Sequence, residues 1–304
     1  MRNPAPTLIS LLVLILLGAL AVPSASALDK VVAEAVVAGD WDKVVELITP
    51  TLKFGGDMPS RLLMVQACRA TNRNNTAERQ LDVEPTNEDR VAWFLWLDSL
   101  AKEHPESPAV HSLWADARYR ARRAEGYRDE PVSRSLASVS RAIDLDSDNA
   151  FAFMTRGDIY LAERRQEHAL TDFKKALELD PKLVEAQFSL GVVYEREEKF
   201  ERAIEEYTKA IEMSPTFAKA LTFRGAVYRE LDSINQAIED CNAALQADDR
   251  YVLAHFVKGM TYYQADMGEM ATKSFQAFVD TAPPKYARMA RNAKARIKLI
   301  EEDY

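Results

Sequence analysis

The stretch Arg156–Pro181, RGDIYLAERRQEHALTDFKKALELDP, decides the fold, because the chain repeats it 34 residues later as LGVVYEREEKFERAIEEYTKAIEMSP at Leu190–Pro215. Carried on at that step, glycine stands at Gly157, Gly191, Gly225 and Gly259, and tyrosine at Tyr160, Tyr194, Tyr228 and Tyr262. Alanine follows at Ala169, Ala203, Ala237 and Ala271. Next come Phe173, Tyr207, Cys241 and Phe275, then Ala176, Ala210, Ala244 and Phe278. Proline closes three units, at Pro181, Pro215 and Pro283, with Asp249 in the remaining one. A period of this length means stacked copies of one supersecondary unit.

Each unit reads as two helices. The first spans about Ala150 to Glu163, with Ala152, Phe153, Gly157 and Tyr160 at helical spacing. The second spans about Glu167 to Leu179, with Leu170, Phe173, Ala176 and Leu177 on one face. Pro181 ends it, since proline lacks a backbone donor and disfavours helix in the residue before it. A glycine inside a helix costs about 1 kcal/mol relative to alanine, so the glycine column marks a close approach. The Gly157 and Ala169 columns are expected to let the paired helices cross tightly. The Tyr160 and Phe173 columns are expected to fill the space between units. Such a unit cannot bury its apolar face alone and needs neighbours.

The six columns resemble the signature of the tetratricopeptide repeat family, including the frequent Arg-Gly pair at Arg156-Gly157 and Arg224-Gly225. The resemblance covers 150–283. It implies an all-α solenoid, a right-handed superhelix of antiparallel helix pairs. Its units fall at 150–183, 184–217, 218–251 and 252–284, and Phe278 and Asp249 depart from the pattern. Upstream the signal weakens. Val110–Ala121 and Ser135–Leu145 read as the two helices of a degenerate unit at 108–149, with an insertion around Ala124–Pro131. The region 28–107 reads as degenerate and helical. Gly39-Asp40-Trp41-Asp42-Lys43-Val44 looks like a tight inter-helix turn. Ser60–Thr71 and Arg90–Lys102 read as one further pair, joined by the polar loop Asn72–Asp89. The tail, 285–304, is expected to be a polar capping helix over Lys285–Asp303.

The ends and the composition bound the function. Leu8–Val22 is a 15-residue apolar run, and Ala25-Ser26-Ala27 has the small-x-small form of a signal-peptidase site. A bilayer span needs about 20 apolar residues, so a signal peptide cleaved after Ala27 is expected, with an uncleaved anchor as the competing reading. Both place the rest of the chain outside the cytoplasm, periplasmic or secreted. Membrane contact is expected only with an uncleaved segment. Removing residues 1–27 takes away Arg2 and no acid, leaving 38 basic against 47 acidic residues. That balance disfavours nucleic-acid binding, which rests on basic contacts to phosphate. Cys68 and Cys241 lie in distant units and read as small buried side chains.

No catalytic or metal-binding constellation emerges. His104, His111, His168 and His255 lack metal-ligand spacing, with His168 placed in the turn between helices. There is no phosphate loop, nucleophile elbow or HExxH. Acidic pairs such as Glu197-Glu198 interleave with Lys and Arg as on a solvated face. The expectation is therefore a protein that is not an enzyme and has no cofactor or metal.

The family resemblance implies that first helices line a concave groove accepting a peptide or protein. Positions opposite the Gly and Tyr columns are Phe151, Met154 and Asp158, then Glu185, Phe188, Val192 and Glu195. In the next two units they are Lys219, Thr222 and Arg229, then Leu253, Phe256, Met260 and Tyr263. Exposed Met154, Phe188, Val192, Phe256 and Met260 would form an apolar stripe of the kind that marks interaction sites. The alternative is that these residues pack on one another or on the terminal helix. A clamp for a C-terminal carboxylate, known in some family members, is not expected. Its columns hold Met154, Phe188, Thr222 and Phe256, and Asp158, Val192, Ala226 and Met260, with no Asn or cation.

Two basic patches, Arg118–Arg128 and Arg288–Lys298, read as solubilising surface or as a site for an acidic partner or anionic polymer. Asn74-Asn75-Thr76 matches a glycosylation acceptor. The leading functional reading is a non-catalytic adaptor with an unidentified protein partner. An assembly component working through its ends and convex face is the alternative, and a cryptic enzymatic N-terminal domain a minor one.

Overall fold

The structure, a computed structural model, describes residues 27–40, 42–44, 46, 96–121 and 131–302. Cys68, the 72–89 loop, Ser60–Thr71, the glycosylation match and most of the N-terminal segment lie outside them. The chain divides into two compact units, Met1–Pro181 and Lys182–Tyr304.

In the first unit, α1 (Ala27–Ala38) packs on α2 (Pro108–Ala121), α2 pairs with α3 (Val132–Leu145), and α4 (Ala150–Ala162) pairs with α5 (Gln166–Leu179). Residues 96–103 are also helical. His168 lies in the first turn of α5, exposed, where its ring sits 5.1 Å from that of Tyr160. It is therefore a helical residue, because α5 starts two residues before it.

The second unit pairs α6 (Val184–Arg196) with α7 (Phe200–Met213), α8 (Ala218–Glu230) with α9 (Ile234–Ala247), and α10 (Leu253–Gln264) with α11 (Gly268–Thr281). A 3-10 turn at Pro284–Tyr286 leads into α12 (Ala287–Glu302), which packs on α11. Short connections make each pair antiparallel. Among the described residues no helix is long and apolar enough to cross a membrane.

The turn inside each of the four pairs from α4 to α11 is built identically. Arg164, Glu198, Asp232 and Asp266 take φ of 60°, 58°, 56° and 57°, again 34 residues apart. The next amide reaches back to the tyrosine carbonyl: Arg165 N to Tyr160 O, Lys199 N to Tyr194 O, Ser233 N to Tyr228 O and Met267 N to Tyr262 O, at 2.8–2.9 Å. This is a six-to-one helix stop around a left-handed residue. Glycine would fill it without strain, and a side chain there costs about 1 kcal/mol. Gly39 (φ 70°) makes the same stop after α1, with Asp40 N donating to Ala35 O. Asp40 then caps the next helical turn by accepting from Lys43 N at 3.0 Å.

The close approach at the glycine column is to the aromatic column of the same pair, and the alanine column is met only at Gly225. A Cβ on Gly157 would stand 2.7 Å from the Phe173 ring, on Gly191 2.5 Å from Tyr207, and on Gly259 2.6 Å from Phe275. At Gly225 the aromatic is replaced by Cys241, and the nearest atom becomes the Ala237 carbonyl oxygen at 3.1 Å. Phe278, the bulky departure in the last small column, is fully buried because α12 meets it with Ala293, Ile300, Met289 and Ile297. The capping helix fills what a further repeat would have filled.

Candidate interaction surface

First-helix positions fall into two classes once the helices are stacked. In the first unit Met154 is sealed at 0% exposure, and Phe151 is buried beside a cavity of about 250 Å³. Gly39, Asp146 and Asn149 also line that cavity. Both of its polar side chains hold local backbone, since Asn149 Oδ1 accepts from Ala152 N at 2.9 Å and Asp146 Oδ1 from Asp148 N at 3.1 Å. Asp158 stays half-buried and accepts from Arg120 at 3.4 Å, while Arg120 Nε donates to both oxygens of Asp116 at 2.8 Å. Arg118 is bound to Asp98 at 2.7 Å and lies over Trp114. The described part of the Arg118–Arg128 patch is thus neutralised by neighbouring carboxylates. Its other arginines lie outside the described residues.

In the second unit Phe188 is buried at 4% within a cluster of rings: Phe223 at 5.1 Å, Tyr207 at 5.4 Å and Phe217 at 5.6 Å. Phe217 and Phe223 belong to the following pair, so stacking closes over this position. Thr222 is buried too, its hydroxyl donating to Ala218 O at 2.9 Å within the helix. Phe256 and Met260 pack against the Phe275–Phe278 cluster that α12 completes. The expectation of an exposed apolar stripe therefore fails at Met154 and Phe188, Thr222 is lost as a groove position, and Phe256 and Met260 are partly drawn into core.

A partly polar face is left. Lys219 reaches Glu185 at 3.4 Å and lies 4.5 Å over the Phe188 ring. Glu195 accepts from the Tyr207 hydroxyl at 2.5 Å. Burial raises the Glu195 carboxyl above the usual carboxylate range, only partly opposed by that hydrogen bond. Arg229 pairs with Glu230. Tyr263 is 37% exposed, with Arg296 of α12 stacked 4.8 Å from its ring. Val192, Ala226 and Met260 stay half-buried between these groups.

Inside the pairs runs a polar device that the columns only half reveal. Arg156 grips Asp172 through Nε and a terminal nitrogen at 2.8 and 2.7 Å, and Arg224 grips Asp240 at the same distances. Both carboxylates are buried, and their hydrogen bonds raise the two guanidinium pKa values. The Arg-Gly pairs were visible in the sequence. Their partners sit sixteen residues on, just before the aromatic column, and a search at that offset finds both. Buried Cys241 has its thiol pushed up to about 12 by desolvation and Asp240.

A family model described as TPR repeat matches residues 157–197, and one described as tetratricopeptide repeat matches 184–217. Residues 157–217 are tetratricopeptide repeats. Among solved structures, this repeat protein is similar to the APC/C hetero-tetramer Cut9-Hcn1. That match covers 86% of this chain and 48% of the other, with a TM-score of 0.59 at 13% identity. This is a likeness of fold, and it agrees with an all-α solenoid. YrrB, a TPR protein with an unusual peptide-binding site, is 21% identical over 66% of this chain and 97% of its own, with a TM-score of 0.46. The TPR2B domain of yeast Sti1, solved as a pHsp70 complex, is 23% identical over 40% of this chain and 98% of its own, with a TM-score of 0.38. No curated protein matches the chain.

Proposed function

We propose that this repeat protein is a non-catalytic scaffold that holds a peptide or protein on its first-helix faces. The observation that carries the reading is the stacked repeat itself. Its apolar columns are consumed in packing, while Val192, Glu195, Lys219, Arg229, Met260 and Tyr263 keep partial access to solvent on one set of helices. Repeat stacks use such surfaces for binding, and side chains like Met and Tyr adapt to partners. Burial of Phe188 and Met154 changes the expected chemistry. The partner would meet a charged and aromatic face with small apolar patches, in place of an oily floor. Export, supported by Leu8–Val22 and Ala25-Ser26-Ala27, would set this work outside the cytoplasm.

Photo-crosslinking tests the surface. A benzophenone amino acid placed at Val192 or Tyr263 should capture a partner from native extract, whereas one at Gln236, exposed on a second helix, should not. Equal capture from all three positions would refute the first-helix reading.

A further inference from the structure

On α12 the residues Arg288, Arg291, Lys294 and Lys298 are all exposed. At 3.6 residues per turn the last three lie within about 60° of one another. Ala293 and Ile300, which anchor the helix in the core, lie on the opposite side. Lys298 pairs with Glu302 at 3.3 Å, while Arg288, Arg291 and Lys294 make no ion pair among the described residues. This cationic row sits on a chain of net charge −8.

A matching row of the other sign lies on α7. Glu201, Glu205 and Glu212 are exposed, lie within about 40° of one another, and make no ion pair among the described residues. Ala203, Tyr207 and Ala210 bury the other side of that helix. The corresponding places on the other second helices of this unit hold Asn235, Glu239 and Gln246, or Glu269, Lys273 and Asp280, so only α7 has three acids there. Both rows are about 15 Å long. Read in opposite directions, Glu201 and Glu205 fall opposite Lys298 and Lys294 at the same four-residue step, and Arg288 comes within one residue of the place that faces Glu212.

We propose that α12 of one copy docks antiparallel on α7 of a second copy through these rows. They cannot meet within one copy, since α7 packs on α6 and α8, and α12 packs on α11. A second copy fits better than a continued stack because the outward side of α12 is charged, where a following second helix would need an apolar face. The contact joins different faces, so it closes as a symmetric pair or continues into larger assemblies. It concerns another surface than the first-helix face and stands or falls separately.

Sedimentation of the full chain tests it. At about 50 mM salt the protein should associate as concentration rises, and at about 0.5 M it should dissociate, because exposed charges are then screened. Arg291→Glu with Lys294→Glu should weaken association at least about tenfold, since it opposes like charges. Glu201→Lys with Glu205→Lys should do the same, and an equimolar mixture of the two double variants should associate again. Circular dichroism verifies that each variant folds. A monomer at all concentrations in low salt, an oligomer indifferent to either reversal, or a mixture that stays apart overturns the proposal. The last result would mean that the basic row serves an acidic partner of another kind.

Discussion

Repeats 184–217 and 218–251 share a backbone plan but close it with different chemistry. In the first, the Tyr207 ring presses on Gly191, and its hydroxyl is tied to Glu195. In the second, Cys241 leaves the glycine facing the Ala237 carbonyl, and Arg224 clamps Asp240 while also donating to Thr208 of α7 at 2.9 Å. The clamp is no substitute for the ring, because Arg156–Asp172 coexists with Phe173. The difference teaches that the 34-residue framework fixes where helices meet, while steric and ionic closures are chosen independently at each meeting.

The ionic closure should be the more brittle. Asp240→Ala strands a guanidinium against buried surface, and losing one partner of a buried pair costs about 3 kcal/mol. Chemical denaturation would measure this, and the paired change Arg224→Met with Asp240→Leu should recover most of it. A loss below about 1 kcal/mol would mean that solvent reaches the pair freely.

The steric closure separates the repeats more finely. Gly191→Ala drives a methyl into the Tyr207 ring and should cost about 2 kcal/mol. Gly225→Ala meets a less crowded wall and should stay within about 1 kcal/mol of the parent, helped by alanine's helix propensity. Equal losses at the two sites would erase the contrast.

The Glu195 side of the comparison depends on pH. A carboxyl raised above its unfolded value holds its proton longer in the folded state. Its favourable contribution is therefore complete below the unfolded pKa and is lost as pH rises through the folded one. Glu195→Gln should flatten that fall and melt higher than the parent at neutral pH. An unchanged pH profile of the melting temperature would rule out a desolvated carboxyl.

The smallest effect belongs to a feature that both repeats share. Asp232→Gly, at φ 56°, removes left-handed strain and should stabilise by about 0.5–1 kcal/mol. Glu198→Gly should do likewise, so a gain at only one of them would show that the two turns differ.

Much of the fold was legible in the chain. Repeated glycine, tyrosine and alanine columns located the helix pairs, and Gly39-Asp40 announced a turn that the structure builds as the others are built. The left-handed positions 164, 198, 232 and 266 escaped notice because none is glycine, and the carbonyl of the tyrosine column that holds them is a backbone group with no letter of its own. Phe188 and Met154 were misjudged for a related reason. Helical period tells which residues share a stripe, but a stripe has two neighbours, its own partner helix and the next pair.

The sequence by itself determined the repeat, its two-helix content and its stops, because these depend on local propensity and on spacing along one chain. Only the tertiary structure decided that Phe217 and Phe223 close over Phe188, that α12 claims Phe256 and Met260, and that buried aspartates answer the arginines. Those outcomes depend on distances between segments far apart in sequence, and packing settles them by filling whatever space the stacked helices leave.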